Sequence, residues 1–162
     1  MNIRPERSSD AQPIRDILTA AFSRKAEADL VERLRCDGNL VLALVADDGD
    51  VWGYLAFPRL RVDDAQGTHD VVGLAPVAVA PDLQRRGIGS ALIRAGHRRL
   101  AAQGETLVFV LGYPAYYTRF GYSLAEPFES AYSGPYFMAL RLNEGAPITG
   151  RVRYPAAFSD LG

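Results

Sequence analysis

A proline inside an apolar segment is the feature that most constrains the fold of this chain. Residues 71–79 read VVGLAPVAV, a composition typical of a central β-strand, yet Pro76 lies within it. Because proline lacks an N–H group, strand pairing must be disturbed there. The N–H and C=O groups of Val77 and Val79 would then be unpaired on one side, and such groups need partners. The pattern predicts a site where an extended, amide-containing ligand adds to the sheet like a strand.

The turn that follows this strand has the composition of an anion-binding site. Residues 84–90 read QRRGIGS and lead into an apolar-periodic helix. The first N–H groups of a helix have no partner inside it, and the helix dipole adds partial positive charge there. Arginines supply charge-assisted hydrogen bonds, and glycines let a phosphate approach the backbone closely. A ligand with a phosphate end and an amide-containing end would suit both features, and coenzyme A has both. An ordinary strand-to-helix connection with tightly packed glycines is the alternative.

Two sequence blocks carry a resemblance to a known family. The first, PVAVAPDLQRRGIGSALI, resembles the acetyl-CoA-binding motif of the GNAT acyltransferases, Gln/Arg-x-x-Gly-x-Gly/Ala after a strand; Gln84, Gly87 and Gly89 match it. The second, YYTRFGY at Tyr116 to Tyr122, resembles the family's next block, with a tyrosine four residues before a Gly–aromatic pair. The blocks occur in the family's order and near its spacing. The residues that the resemblance and the two features assign to acetyl-CoA are Val77, Ala78, Val79, Gln84, Arg85, Arg86, Gly87, Ile88, Gly89 and Ser90.

The resemblance assigns Tyr117 as the general acid, because it is the tyrosine four residues before Gly121. A phenol has a pKa of about 10 and a thiol of about 8.5, so a tyrosine near the sulfur stays protonated at neutral pH. It can then donate a proton to the departing thiolate. The alternative is an aromatic residue that only fills the core. The asparagine that the family often has near Gly112 is missing here. The N–H of Val77 is a candidate donor to the thioester carbonyl oxygen.

No spacing selects a general base. An ammonium group with a pKa near 10.4 must lose a proton before it attacks. The side chains considered for this role are His69, Asp70, Asp64, Glu126 and Glu129, and water relayed to a backbone carbonyl would also serve. No base is assigned on this evidence. Aromatic residues near the C-terminus, Tyr132, Tyr136 and Phe137, either line an acceptor pocket or fill the core.

The order of predicted elements indicates an α+β (mixed α/β) fold in one domain spanning residues 1–162. A mostly antiparallel, GNAT-like sheet with flanking helices is expected, and a right-handed crossover makes strands 71–79 and 106–111 parallel neighbours that splay apart beyond Pro76. Helices are predicted at 14–22, 27–35, 86–103 and 114–119, and strands at 2–6, 40–46, 51–57, 71–79, 106–111, 136–142 and 151–154. Residues 58–70 are predicted as a strand extension and loop.

Composition excludes several classes of function. The formal net charge is −1, so no global field attracts nucleic acid or an anionic membrane. The single cysteine, Cys36, excludes an internal disulfide and a multi-cysteine metal site; it is expected to be buried or half-buried at a helix end. No metal is expected. No apolar run approaches the roughly 20 residues of a membrane span, and no leader segment is recognisable, so a cytoplasmic location is expected.

The functional prediction is transfer of an acetyl group from acetyl-CoA to a primary amine by direct attack. The alternatives are a non-catalytic acyl-CoA-binding or interaction module on the same fold, and a nucleotide-phosphate binder. The last lacks the Gly-Lys-Ser/Thr ending of a P-loop. The resemblance allows a small amine, a peptide N-terminus, a lysine or an antibiotic as acceptor without ranking them. It also allows a homodimer and acyl groups other than acetyl.

Overall fold

The structure is a computed structural model that describes residues 1–160, except the side chain of Asp160. Its helices are α1 (Ala11–Phe22), α2 (Ala26–Cys36), α3 (Ile88–Ala102) and the short α4 (Pro114–Tyr117), with 3-10 turns at Ser8–Asp10, Pro81–Leu83, Thr118–Phe120 and Ala156–Asp160. Its strands are β1 (Asn2–Pro5), β2 (Leu40–Asp47), β3 (Val51–Asp64), β4 (Gly67–Gly73), β5 (Val77–Val79), β6 (Leu107–Leu111), β7 (Ser123–Leu124), β8 (Phe128–Glu129), β9 (Phe137–Arg141) and β10 (Gly150–Arg153).

The strands form one mixed sheet in the order β1-β2-β3-β4-β6-β9-β7. Three strands lie off this path: β5 pairs with β3, β10 pairs with β3, and β8 pairs with β10. Most pairs are antiparallel, while β4–β6 and β10–β8 are parallel. The predicted fold class, a mostly antiparallel α+β sheet with a central parallel pair, is therefore confirmed.

Strand β3 is the longest element of the sheet and pairs with two successive strands on one side. Its second half, from Arg59 to Asp64, pairs with β4, and its first half, from Gly53 to Leu55, pairs with β5. The prediction for residues 58–70 is a strand extension and loop. The extension is confirmed, because β3 continues to Asp64, but the loop is wrong beyond the short turn, because β4 begins at Gly67. The polar residues of β3 mislead the sequence interpretation since they alternate with the buried Leu60 and Val62.

Helices cover both faces of the sheet. On one face α3 packs its buried Ile88, Leu92 and Ile93 against a core that includes Phe57. On the other face α1 packs Ile14 and Leu18 against Val45, Tyr54 and Ala78. A separate aromatic cluster joins β6 to the C-terminal strands through Phe109, Phe128 and Phe137. The sheet is thus a buried layer whose central strands can leave a gap only where their pairing stops.

Three local predictions differ from the structure. Helix α3 begins at Ile88 and not near Arg86, because Gly87 has a left-handed φ of +83° that precedes the helix. Cys36 is exposed at the end of α2, so the expectation of a buried thiol is wrong. The two-residue strands β7 and β8 were not predicted, since segments this short carry no periodicity.

Replacing Gly96 by alanine is expected to lower the free energy of unfolding by about 1–2 kcal/mol. Gly96 is buried on α3, and a Cβ there would lie 2.5 Å from Cε2 of Phe57, which is itself fully buried. The gain in helix propensity, up to about 1 kcal/mol, is smaller than the cost of overpacking. Urea unfolding measures the change. The control is Arg98→Ala on the exposed face of the same helix, expected to stay within about 0.5 kcal/mol; equal stability of both variants would contradict the packing argument.

Candidate active site in the gap between β5 and β6

The chain changes its pairing partner between Gly73 and Val77. Strand β4 pairs in parallel with β6 through Val72 and Gly73, and the Leu74 N–H donates to the Phe109 carbonyl at 2.8 Å. Beyond this point β5 pairs with β3 instead, while β6 continues beside β9. The two central strands therefore separate after Leu74, as the sequence predicts for the region of Pro76, and a gap opens between β5 and β6.

The backbone of β5 presents polar groups to this gap. The Ala56 N–H donates to the Pro76 carbonyl at 3.2 Å, and the Ala80 N–H donates to the Trp52 carbonyl at 2.9 Å. Along residues 76–80, the even-numbered residues thus direct their backbone polar groups toward β3. Because these groups alternate along a strand, those of Val77 and Val79 turn toward the gap.

The turn between β5 and α3 forms a polar hollow of about 470 Å³ that we call the cradle. Two residues take left-handed conformations there: Arg85 with φ +67° and Gly87 with φ +83°. The side-chain amide of Gln84 donates to the Val79 carbonyl at 3.1 Å and ties the turn to the strand. The residues that line the cradle are Val77, Val79, Leu83, Gln84, Arg85, Gly87, Ile88, Gly89, Ser90, Tyr116 and Arg119.

Most of the residues predicted from the motif lie together in the cradle, and two do not line it. Arg86 is exposed and is not part of the lining, and Ala78 is buried against the α1 core. Ile88 lines the cradle at the start of α3 and is 5% exposed. Sequence reasoning missed Arg119, whose guanidinium lies 4.7 Å from the ring centre of Tyr116. Arg119 lies inside the YYTRFGY block, but the prediction took only Tyr117 from that block.

A second, mostly apolar cavity of about 300 Å³ lies on the other side of Val77, and we call it the acceptor-side cavity. Among residues 1–160, only Val77 lines both this cavity and the cradle. The residues that line it are Phe22, Glu27, Leu30, Pro58, Gly73, Leu74, Ala75, Pro76, Val77, Phe109, Val110, Leu111, Tyr117, Tyr132, Tyr154 and Phe158. Of the C-terminal aromatic candidates, Tyr132 belongs to this wall, Phe137 is buried in the core and Tyr136 is exposed.

The adjacent residues Tyr116 and Tyr117 face different cavities. The Tyr116 hydroxyl lies 3.4 Å from the Ser90 hydroxyl in the cradle, whereas Tyr117 lines the acceptor-side cavity. The Tyr117 ring lies directly over Gly112, where a Cβ would be 2.2 Å from its Cε2 atom. Gly112 therefore makes room for the ring at the position where the asparagine of the resembled motif is missing.

The surroundings of Tyr117 keep its hydroxyl protonated. Burial raises the pKa of Tyr117 to about 12, and the neighbouring Tyr116 adds to the shift. The Tyr122 ring contacts the Tyr117 ring, and the Tyr122 hydroxyl lies 2.8 Å from Nε2 of His97. Burial lowers the pKa of His97 to about 4, with Arg94 acting in the same direction, so this imidazole is neutral at pH 7. A neutral phenol beside a gap that exposes strand amides can donate a proton to a leaving group there.

None of the five carboxylates and imidazoles considered as a base lines either cavity. His69 lies 2.9 Å from Asp64 in the β3–β4 hairpin, and Asp70 pairs with Arg61. Glu126 and Glu129 are exposed. The carboxylate that does line the acceptor-side cavity is Glu27, the second residue of α2. Sequence reasoning missed it because an acidic residue in the first turn of a helix is already explained by the helix dipole.

Comparison with known proteins decides the family. A family model described as an acetyltransferase (GNAT) domain matches residues 2–125. The chain belongs to the GNAT acetyltransferase family. The family and acyltransferase class predicted from the two motifs are therefore confirmed.

GNAT relatives extend over nearly the whole chain. The Escherichia coli K12 protein named uncharacterized N-acetyltransferase YhbS is 39% identical over 168 aligned positions, which cover 98% of this chain and 99% of the relative. A solved structure of E. coli YhbS in complex with CoA superimposes with a TM-score of 0.89 at 38% identity, covering 99% of this chain and 93% of that one. A GNAT acetyltransferase of Brucella melitensis in complex with acetyl-CoA gives a TM-score of 0.83 at 36% identity, covering 97% of each chain.

The described part of this GNAT chain has neither a metal-ligand cluster nor a membrane-spanning helix. Within residues 1–160, no group of three or more His, Cys, Asp or Glu side chains is placed to hold a metal ion. Every helix in the same range is too short or too polar to traverse a bilayer.

Replacing Gly87 by alanine is expected to lower the free energy of unfolding by about 1–2 kcal/mol. A Cβ at Gly87 would have no neighbour within 4 Å, so the cost comes from the left-handed backbone and not from a clash. Thermal or urea unfolding measures it. The matched variant is Arg85→Gly at the other left-handed residue, where relief of the backbone cost offsets the greater freedom of the unfolded chain, so a change below about 0.5 kcal/mol is expected. An unchanged Gly87→Ala protein would contradict the conformational argument.

Proposed function

We propose that this protein transfers an acetyl group from acetyl-CoA to a primary amine by direct attack, with no covalent enzyme intermediate. The observation that carries the proposal is the position of Val77, which lines both the cradle and the acceptor-side cavity. A thioester borne on an amide-containing arm along β5 would lie between the two cavities, beside Tyr117. The CoA and acetyl-CoA complexes of the YhbS and B. melitensis relatives support the same ligand.

The residues predicted for acetyl-CoA fit its two ends. The backbone groups of Val77 and Val79 face the gap, where the amides of a pantetheine arm would pair with them. The backbone amides from Arg85 to Ser90 and the start of α3 would hold the diphosphate, with the Arg85 guanidinium adding charge. Arg119 joins this set from its place in the cradle wall. Ala78 and Arg86 would contribute only indirectly.

Two groups of this chain take part in the proposed reaction, the Val77 N–H and the Tyr117 hydroxyl. The amine nitrogen forms a bond with the thioester carbonyl carbon, and the developing oxyanion accepts a hydrogen bond from the Val77 N–H. The carbon–sulfur bond then breaks, and the electron pair leaves with sulfur. Tyr117 donates its hydroxyl proton to the thiolate. The ammonium has lost its first proton to water before its nitrogen attacks, and the second proton, which the nitrogen loses as the amide forms, restores the phenol. The products are the N-acetylated amine, free CoA and one net proton.

Three other predictions belong to the same proposal. A single catalytic domain over residues 1–162 is proposed, although residues 161 and 162 lie outside the described structure. A cytoplasmic location and a homodimer remain predictions.

Replacing Tyr117 by phenylalanine is expected to lower kcat about 100-fold and to leave the KM for acetyl-CoA within about twofold. The ring keeps its place over Gly112, but the proton donor is lost. Thiol release from acetyl-CoA, measured with a panel of primary amines, gives kcat, and calorimetry gives acetyl-CoA binding.

The control for this experiment is Tyr113→Phe, since Tyr113 is 73% exposed and lines neither cavity. It should match the wild type. Acetyl-CoA binding without turnover of any amine, unaffected by Tyr117→Phe, would favour the non-catalytic acyl-CoA-binding module instead.

Replacing Gly112 by alanine is expected to lower kcat at least about tenfold through Tyr117, because the new methyl group occupies the place of the phenol ring. The Tyr117 ring is half-buried and borders the acceptor-side cavity, which gives it space to shift, so thermal stability should fall by less than about 1 kcal/mol. The same thiol-release assay and a thermal melt measure both effects. If the double variant Gly112→Ala with Tyr117→Phe were tenfold slower than Tyr117→Phe alone, the effect would not pass through Tyr117.

A further inference from the structure

One carboxylate lies in the wall of the otherwise apolar acceptor-side cavity. Glu27 is the only acidic or basic side chain among the described residues that line it. The residue is 6% exposed, and the cavity walls around it are largely aromatic and aliphatic. A carboxylate in such surroundings is costly to desolvate and is retained where it has a partner or a function.

Arg24 pairs with the Glu27 carboxylate and uses part of its capacity to accept hydrogen bonds. Nε of Arg24 donates to Oε1 of Glu27 at 2.9 Å, and Nη2 of Arg24 donates to Oε2. The Arg24 side chain is 55% exposed and does not line the cavity, whereas that of Glu27 is 8% exposed and does. Two carboxylate oxygens offer about four lone-pair sites, so the pair leaves sites for a donor inside the cavity.

The remaining walls of the cavity restrict which kind of molecule can bring a hydrogen-bond donor to Glu27. Aromatic rings surround the space, contributed by Phe22, Phe109, Tyr132, Tyr154 and Phe158. Tyr132 and Tyr154 meet edge to face at 4.8 Å between ring centres, and Tyr154 contacts Phe158 in the same way at 5.1 Å. A volume of about 300 Å³ is at the small end of ligand cavities. Hydroxyl-rich amines would lose more hydration here than the few polar groups of the walls, Glu27 and the tyrosine hydroxyls, could replace.

We infer that the acceptor is a small amine on an apolar, aromatic body, and that Glu27 anchors its amino group. The inference rests on the proposed function, because it identifies the acceptor of the same reaction. Glu27 accepts a hydrogen bond from the ammonium group before the proton is lost. The aromatic walls pack against the body of the amine and direct its nitrogen toward Val77 and Tyr117, which line the same cavity. Sugar amines, polyamines and lysine side chains lack the body that these walls fit.

The first test compares acceptors on the wild-type protein. Thiol release is measured with 2-phenylethylamine and tryptamine, and with glucosamine, spermidine and a lysine-containing peptide. The aromatic amines are expected to have kcat/KM values at least about tenfold higher than the others. Greater efficiency with any hydrophilic amine or with the peptide would overturn this inference and leave the proposed function intact. Acetyl-CoA binding without turnover of any amine would overturn both.

The second test separates anchoring from a structural ion pair. Glu27→Gln and Arg24→Gln break the same pair, but only the first removes the carboxylate from the cavity. Glu27→Gln is expected to raise the KM for 2-phenylethylamine at least about tenfold, with the KM for acetyl-CoA within about twofold. Arg24→Gln should also raise the KM for 2-phenylethylamine, but the increase should be at least fivefold smaller than that caused by Glu27→Gln. Glu32 lies on α2 like Glu27, and its side chain is 50% exposed. Glu32→Gln, which breaks the ion pair with Arg15 of α1, should match the wild type. Equal effects of the Glu27 and Arg24 variants, or none from Glu27→Gln, would overturn the anchoring role.

Discussion

The change of pairing partner at Leu74–Pro76 is the constraint on which the rest of the structure depends. Strand β4 ends its pairing with β6 at the Leu74–Phe109 hydrogen bond, and β5 resumes beside β3. The chain thereby keeps one side of β5 hydrogen-bonded and leaves the other side facing a gap. A continuous ladder would be more regular, but it would offer no polar backbone to a ligand. The large buried core on both faces of the sheet holds this irregular segment in place.

Two cavities with opposite character meet at this gap. The cradle combines helix-start amides, a left-handed turn and arginine side chains, so it suits an anion. The acceptor-side cavity has aromatic walls and the single carboxylate of Glu27, so it suits a cation on an apolar body. The two cavities are separate because different elements packed on the sheet form them. The cradle forms where α3 begins, and the acceptor-side cavity lies between the start of α2 and the C-terminal segment. Val77 belongs to both, which places the proposed reaction at their boundary.

Much of the fold could be predicted from the sequence because its signals are local. Pro76 has no N–H to donate, and glycines at 87 and 89 precede a clearly periodic helix, so the disturbed strand, the turn and α3 follow from residue types alone. The long β3–β4 hairpin could not be predicted in the same way, since Arg59 and Arg61 read as loop residues until Glu105 and Asp70 pair with them.

The sequence by itself determined the family, and it predicted the anion-binding turn and the choice of Tyr117 over Tyr116, because each depends on residue types at short spacing. Only the tertiary structure decided which side chains share a cavity. Glu27, Gly112 and Arg119 lie on three separate segments, and no residue pattern along the chain shows what each of them contacts. Their proximity to the gap is set by how α2, β6 and the 3-10 turn after α4 pack on the sheet. Packing of distant segments depends on the shapes of all the surfaces that meet, and no short stretch of sequence encodes it.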